Sequence, residues 1–225
     1  MTRIFRPEEL SISERYKLMT AGIAPRPIAL VSTVSPGGRL NLAPFSYFTG
    51  LGSEPMTLLF CPANDRQGEE KDTLANCKPA EEGGSGQFVV NVVVEDYLRR
   101  AVAAAEALPR GESEFDLSGL RPAPSIVVHP PRVAEAPLAF ECRTLQVMRF
   151  RPGAPSGANL VIGEVVCVVA EDGLFDERLH LDEDRLRLVG RLGGLEYARV
   201  RDRFTLKPGR AALEGEDEPG NGPPR

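Results

Sequence analysis

Tryptophan is absent and histidine nearly so, with His129 and His180 the only two among 225 residues. Neither stands at metal-ligand spacing from a cysteine or carboxylate cluster, and the four cysteines, Cys61, Cys77, Cys142 and Cys167, form no CxxC pair. A zinc centre is therefore not expected. Cys61, Cys142 and Cys167 fall in apolar, strand-like runs, where a free thiol behaves as a small hydrophobe. No GxSxG elbow exists to seat a Ser-His-Asp triad, and no GxGxxG follows any strand-like run, which removes a Rossmann dinucleotide domain. No apolar run nears the ~20 residues of a membrane span. The opening residues, MTRIFRPEELSISERYK, lack the apolar core of a secretory signal. A cytoplasmic protein is the expectation. Basic residues are in deficit, 27 Lys and Arg against 32 Asp and Glu, and a net charge of −5 argues against nucleic acid or an anionic membrane as partner.

With aromatics at 6% inside a hydrophobic fraction of 42%, the core must rest on Val, Leu, Ile and Ala. The stretch APRPIALVSTVSPGGRLNLAPFSYFTGLGSEPMTLLFC, residues 24–61, organises the chain. An apolar run over 28–33 breaks at Ser35-Pro36-Gly37-Gly38, a mixed segment covers 41–52, and a second apolar run over 56–61 follows Glu54-Pro55. Strands around a Pro-Gly-Gly turn predict a hairpin-like unit. Its neutral donors Asn41, Ser46, Tyr47 and Thr49, set among Ala43, Pro44 and Gly50, suit a backbone that approaches a ligand closely. An ordinary hairpin with a polar outer face reads equally well.

Further strands are predicted over 87–94, 126–128, 138–150 and 159–170, with a closing strand over 197–206. Short helices are expected over 8–20 with Ser13 as N-cap, from Asp72 or Thr73 to Cys77, over 97–108 capped by Asp96, and over 182–188. Residues 208–225 read as a disordered tail after a single domain over 1–207. Strands outnumber helices and do not alternate with them, so the fold class is mainly β: an antiparallel barrel with short helices outside. Lys71-Asp72-Thr73 opens a helix where free N–H groups, one full charge and a hydroxyl suit an anion, although a plain solvated helix start is the commoner use of such a triplet. Asn91, alone among apolar neighbours, is most simply a partner for buried backbone. His129 reads as a loop or strand-end residue.

APRPIALVST, NLAPFSYF, KDTLANC, FVVNVV and ESEFD, in that order, resemble the flavin reductase-like, FMN-binding split-barrel family, in register from about residue 22 to 206. The family includes NAD(P)H-dependent flavin reductases and flavoredoxin-like electron carriers. The resemblance implies a six-stranded antiparallel, Greek-key split barrel working as a homodimer, with FMN near the subunit interface. It implies NADH or NADPH as co-substrate and an oxygenase or redox protein as possible partner. Carried over by position, Arg26, Ser32, Thr33, Asn41, Leu42, Ala43, Pro44, Phe45, Ser46, Lys71 and Thr73 would hold the flavin, with the N–H groups of Ala43 and Phe45 at its polar edge. No general base is expected, because the flavin carries the hydride chemistry. Glu114 falls where the family has a loop over the site.

Overall fold

Both faces of β1 (Ala29–Val34) are buried, and Ala29, Leu30 and Val31 are wholly shielded, as befits a central strand with neither alternation nor a polar side. It lies between β2 (Leu40–Phe45) and β5 (Gln87–Val92) in a seven-stranded sheet completed by β3 (Phe48–Ser53) and β4 (Met56–Phe60), then two long strands beyond the short pair β6 (Pro122–Ala123) and β7 (Arg132–Val133). Those long strands are β8 (Leu138–Arg149) and β9 (Asn159–Ala170). The sheet order is β2-β1-β5-β8-β9-β4-β3, antiparallel at every pairing. This computed structural model describes residues 1–109, 112–213 and 218–219.

Closure follows from connectivity. β2 and β3 are opposite edges of the sheet, yet only Ser46 and Tyr47 separate them in the chain. Three residue steps reach at most about 11 Å, so the edges must meet at that corner and the sheet must curl into a barrel. They do not pair with each other, which leaves the barrel split. The expected count of six strands becomes seven because the mixed segment over 41–52 is two strands, one on each side of the split. Register shifts between Glu141 and Cys142 and between Thr144 and Gln146 supply the bend in β8.

Inside the barrel, Ala29, Val31, Val90, Cys142 and Val161 surround Phe60 and Phe88. Phe60 lies 5.1 Å from Phe45 and 5.2 Å from Phe88 between ring centroids. Helix α2 (Asp72–Cys77) closes this interior with Leu74 and Cys77. A second core lies outside the sheet, where Leu30, Leu42, Tyr97, Phe115, Leu174 and Leu186 pack beneath α3 (Leu98–Ala103), α4 (Glu114–Ser118) and α5 (Glu183–Leu186). β10 (Val189–Arg191) and β11 (Tyr197–Arg199) form a separate hairpin. No helix among the described residues is long and apolar enough to cross a membrane.

Several local expectations need correction. Helix α1 (Ile12–Gly22) is capped by Ser11, not Ser13, through a capping box in which Ser11 and Glu14 bond reciprocally. Residues 126–128 are not a strand: the N–H groups of Ile126, Val127 and Val128 all turn to the buried Glu141 carboxylate, at 2.7, 2.6 and 3.3 Å. The helix expected over 97–108 is the short α3 behind a 3₁₀ turn, and Asp96 pairs with Arg187 rather than capping it. The closing strand is two short pieces, β11 and β12 (Phe204–Thr205). The expected tail falls partly outside the described residues; within them, Gly209–Leu213 is an exposed 3₁₀ turn.

Candidate functional site

Pairing of β1 with β2 sets Thr33 against Asn41, and α2 packs across both. The Asn41 amide donates to Thr33 Oγ1 and Thr73 Oγ1, each at 3.0 Å, and the Asn76 amide donates to Thr33 Oγ1 at 3.1 Å. All four side chains are buried. Three sequence-predicted residues thus meet in one polar cluster, with Asn76 as the member that sequence reasoning missed. Its signal was the helical spacing of three from Thr73. Lys71 is the N-cap residue of α2, exposed and, among the described residues, without a carboxylate in ion-pair range.

Arg26 and Ser46 lie at the far end of the same hairpin, Ser46 about 16 Å from Asn41 at strand rise. The Arg26 side chain is only 3% exposed and donates to the carbonyls of Thr20 (2.5 Å), Ile23 (2.7 Å) and Leu192 (2.9 Å) and to Ser46 Oγ (3.3 Å). It therefore ties the end of α1 to the β10–β11 connection and to the corner between the sheet edges. Main-chain bonds in both directions, 2.9 and 2.8 Å, bridge Arg26 to Arg191. Its guanidinium is spent on neutral acceptors and pairs with no carboxylate among the described residues.

The open edge of β2 is the third component. Leu42 N–H points away from β1 and donates to Glu114 Oε2 at 3.0 Å. Burial raises the Glu114 carboxyl above the ordinary glutamate value, and the charge of Asp72 adds to the rise, against the lowering effect of the Leu42 bond. Because successive residues of a strand face opposite ways, the N–H groups of Ala43 and Phe45 face their partners Val31 and Ala29. The expectation that these two N–H groups meet a flavin edge does not hold. Pro44, with no N–H to offer, sits on the open side, the position a sheet edge permits.

Ser32 is drawn elsewhere. Its hydroxyl donates to the Pro131 carbonyl at 2.5 Å and accepts from Asn91 at 3.2 Å, on the face opposite Thr33. Asn91 also donates to the Leu30 carbonyl and accepts from Val133 N–H, so it satisfies buried backbone. His129 is exposed in a loop, its N–H held by Gln87. Pro44, Phe45 and Ser46 form one wall of an open cavity of about 280 Å³, whose other walls come from α1, α3 and the β10–β11 hairpin. The predicted residues thus fall into two groups at the ends of β2: Thr33, Asn41, Thr73 and Lys71 at one, Arg26, Pro44, Phe45 and Ser46 at the other. Leu42 and Ala43 lie between.

Comparison with known proteins bears on what this arrangement serves. A model of the flavin reductase-like domain family matches residues 21–190. The chain is 36% identical to the Bacillus subtilis protein YwrF over 205 residues, covering 90% of this chain and 97% of that one. Nitrilotriacetate monooxygenase component B from Bacillus cereus superposes with a TM-score of 0.84 at 32% identity, covering 92% of this chain and 99% of that one. The 2-nitrobenzoate 2-nitroreductase NbaA of Pseudomonas fluorescens superposes with a TM-score of 0.80, also at 32% identity, covering 92% and 97%.

Proposed function

The chain belongs to the flavin reductase-like domain family, and from that premise we propose that it binds FMN and reduces it with NADH or NADPH. The observation that carries the reading is the Lys71–Thr73–Asn41 grouping beside the open edge of β2, within the residues that match the family. A phosphate monoester bears close to two negative charges, so its lining calls for a cation and neutral donors. Lys71 supplies the charge, and the Thr73 hydroxyl, which accepts from Asn41, still has its own proton to donate. Pro44, Phe45 and Ser46 at the other end offer apolar contact and one hydroxyl for the ring. Bound flavin supplies the hydride chemistry; the residues named here bind and orient it.

The protein hands its reducing equivalents to a partner oxygenase or redox protein in the cytoplasm, and it acts as a homodimer. Similarity to a component of a monooxygenase supports the first statement. Support for the second is the exposure of Leu51, Met56, Leu145 and Val168 on the barrel strands β3, β4, β8 and β9.

Two measurements test the reading. Anaerobic addition of NADH or NADPH to purified yellow protein should bleach it at a rate comparable to turnover. Bleaching by dithionite alone would make it an electron carrier without a productive nicotinamide site. Lys71→Ala should weaken FMN about tenfold, the loss of one charge-assisted contact, and leave riboflavin unchanged. Equal loss for both flavins refutes the phosphate role of Lys71.

A further inference from the structure

The cavity beside residues 44–46 has a chemistry of its own. Phe45 and Val93 from the sheet and Leu98 and Val102 from the α3 side give it apolar walls, while Ser46 and Arg191 supply polar groups. The Arg191 guanidinium lies 4.4 Å from the centroid of the Tyr197 ring, and one N–H goes to the Gly194 carbonyl at 2.5 Å. Arg187, Arg199 and Arg201, its neighbours in the chain, all pair with Glu95. Arg191 has no such partner among the described residues. Arg26, bridged to it through the backbone, does not line the cavity, and its guanidinium is taken up by three carbonyls and Ser46. One half-buried positive charge at the end of an apolar slot, with no carboxylate of the described residues beside it, favours an anion there.

Size narrows the ligand. A cavity of about 150 Å³ admits benzene, so about 280 Å³ has room for a single substituted ring with its carboxylate. Arg191, Tyr197 and Tyr16 all lie outside residues 21–190, so the charged wall and part of the rim come from segments flanking the matched family domain.

We infer that this cavity binds a small planar aromatic carboxylate, its ring against Val93 and α3 and its carboxylate toward Arg191, across the cavity from the Pro44–Ser46 wall that the flavin ring would use. The inference rests on the proposed function only in placing that ligand next to a flavin along β2; the binding itself does not need flavin.

Benzoate and its neutral isostere benzamide are titrated into the purified protein, and binding is read from the NMR linewidths of the ligand. Benzoate should bind about tenfold more tightly than benzamide. Arg191→Met should remove that advantage and leave benzamide unchanged. Val102→Phe, an exposed position on α3, fills the slot without touching a charge and should abolish both. Equal binding of the two ligands, no benzoate binding, or benzoate binding indifferent to either substitution overturns the inference. So does an Arg191→Met protein that loses FMN affinity but not riboflavin affinity, because the charge would then serve the cofactor phosphate. Flavin content is measured separately by absorbance. Colourless protein that takes up no FMN on titration but binds benzoate would sink the proposed function alone, and flavin-binding protein indifferent to benzoate would sink this inference alone.

Discussion

Thr33→Val puts the buried polar cluster to a direct test. Valine keeps the branched shape, so no cavity opens, but Thr33 Oγ1 is the acceptor for both the Asn41 and Asn76 amides. Asn41 retains Thr73 Oγ1 at 3.0 Å and loses one of two partners, a change of about 0.5–1.5 kcal/mol. The side-chain amide of Asn76, buried and with Thr33 as its acceptor, is left unsatisfied at about 1–3 kcal/mol. The sum, about 1.5–4.5 kcal/mol, corresponds to a fall in Tm of about 3–18 °C for a chain of this size. Urea unfolding of the wild type, Thr33→Val, Asn76→Ala and the double variant gives both the loss and the coupling. If the cluster works as one network, the double variant should fall short of additivity by at least ~0.5 kcal/mol. A Thr33→Val protein within ~0.5 kcal/mol of wild type, or strictly additive losses, would refute the assignment of these amides to a shared acceptor.

Glu114→Gln keeps an acceptor for Leu42 N–H and removes the charge. The Glu114 pKa is raised in the folded state, so its stabilising contribution is complete below the ordinary value of 4.5 and is lost as pH climbs through the raised value. The glutamine variant should therefore be at least as stable as wild type at pH 7 and gain relative to it between pH 4 and pH 7, read from urea midpoints at about those pH values; a gain in the opposite direction refutes the sign. Gly163→Ala would place a Cβ 2.4 Å from Phe88 Cζ inside the barrel, and overpacking of about 1–3 kcal/mol should appear as a lowered urea midpoint with an unchanged slope. Glu141→Gln turns an amide toward three backbone N–H groups and should cost on the order of 3 kcal/mol, with faster hydrogen exchange at Ile126 and Val127; unchanged exchange there would remove Glu141 as the organiser of that loop.

The parts of the fold that could be read from sequence are those fixed by local pattern. The apolar run over 28–33 and the Pro-Gly-Gly break gave β1 and the hairpin, and KDTLANC gave α2 nearly to the residue. The capping box was also local, in Ser11 and Glu14, but Ser13 competed with it two residues on. What could not be read depends on distant partners. Residues 126–128 have strand composition, and only Glu141 on β8 decides otherwise, by offering a carboxylate to three N–H groups in place of a neighbouring strand. The same holds for the site. Thr33, Asn41 and Thr73 were expected together and are together, because the hairpin register and α2 bring them there. Ser32 alternates to the opposite face. Arg26 was expected at a ligand, and its side chain instead anchors three carbonyls, one of them 166 residues away at Leu192. No sequence pattern announces such a contact.

The split in the barrel explains why these groups collect where they do. Edges that do not pair leave polar backbone that must find other partners. Glu114 takes Leu42 N–H on one edge, Pro44 removes a donor from it, Tyr47 O accepts Cys61 N–H at the corner, and Arg26 holds Ser46 from beneath. Glu114 and Arg26 thus supply by side chain part of what ladder bonds supply elsewhere in the sheet. A strand held this way keeps one side open along its length, with a lysine and hydroxyls at one end and an apolar wall at the other. Pairing β2 with β3 would close the barrel and also remove the open side along which the proposed flavin would lie, so the proposed site depends on the seam that costs the sheet backbone hydrogen bonds.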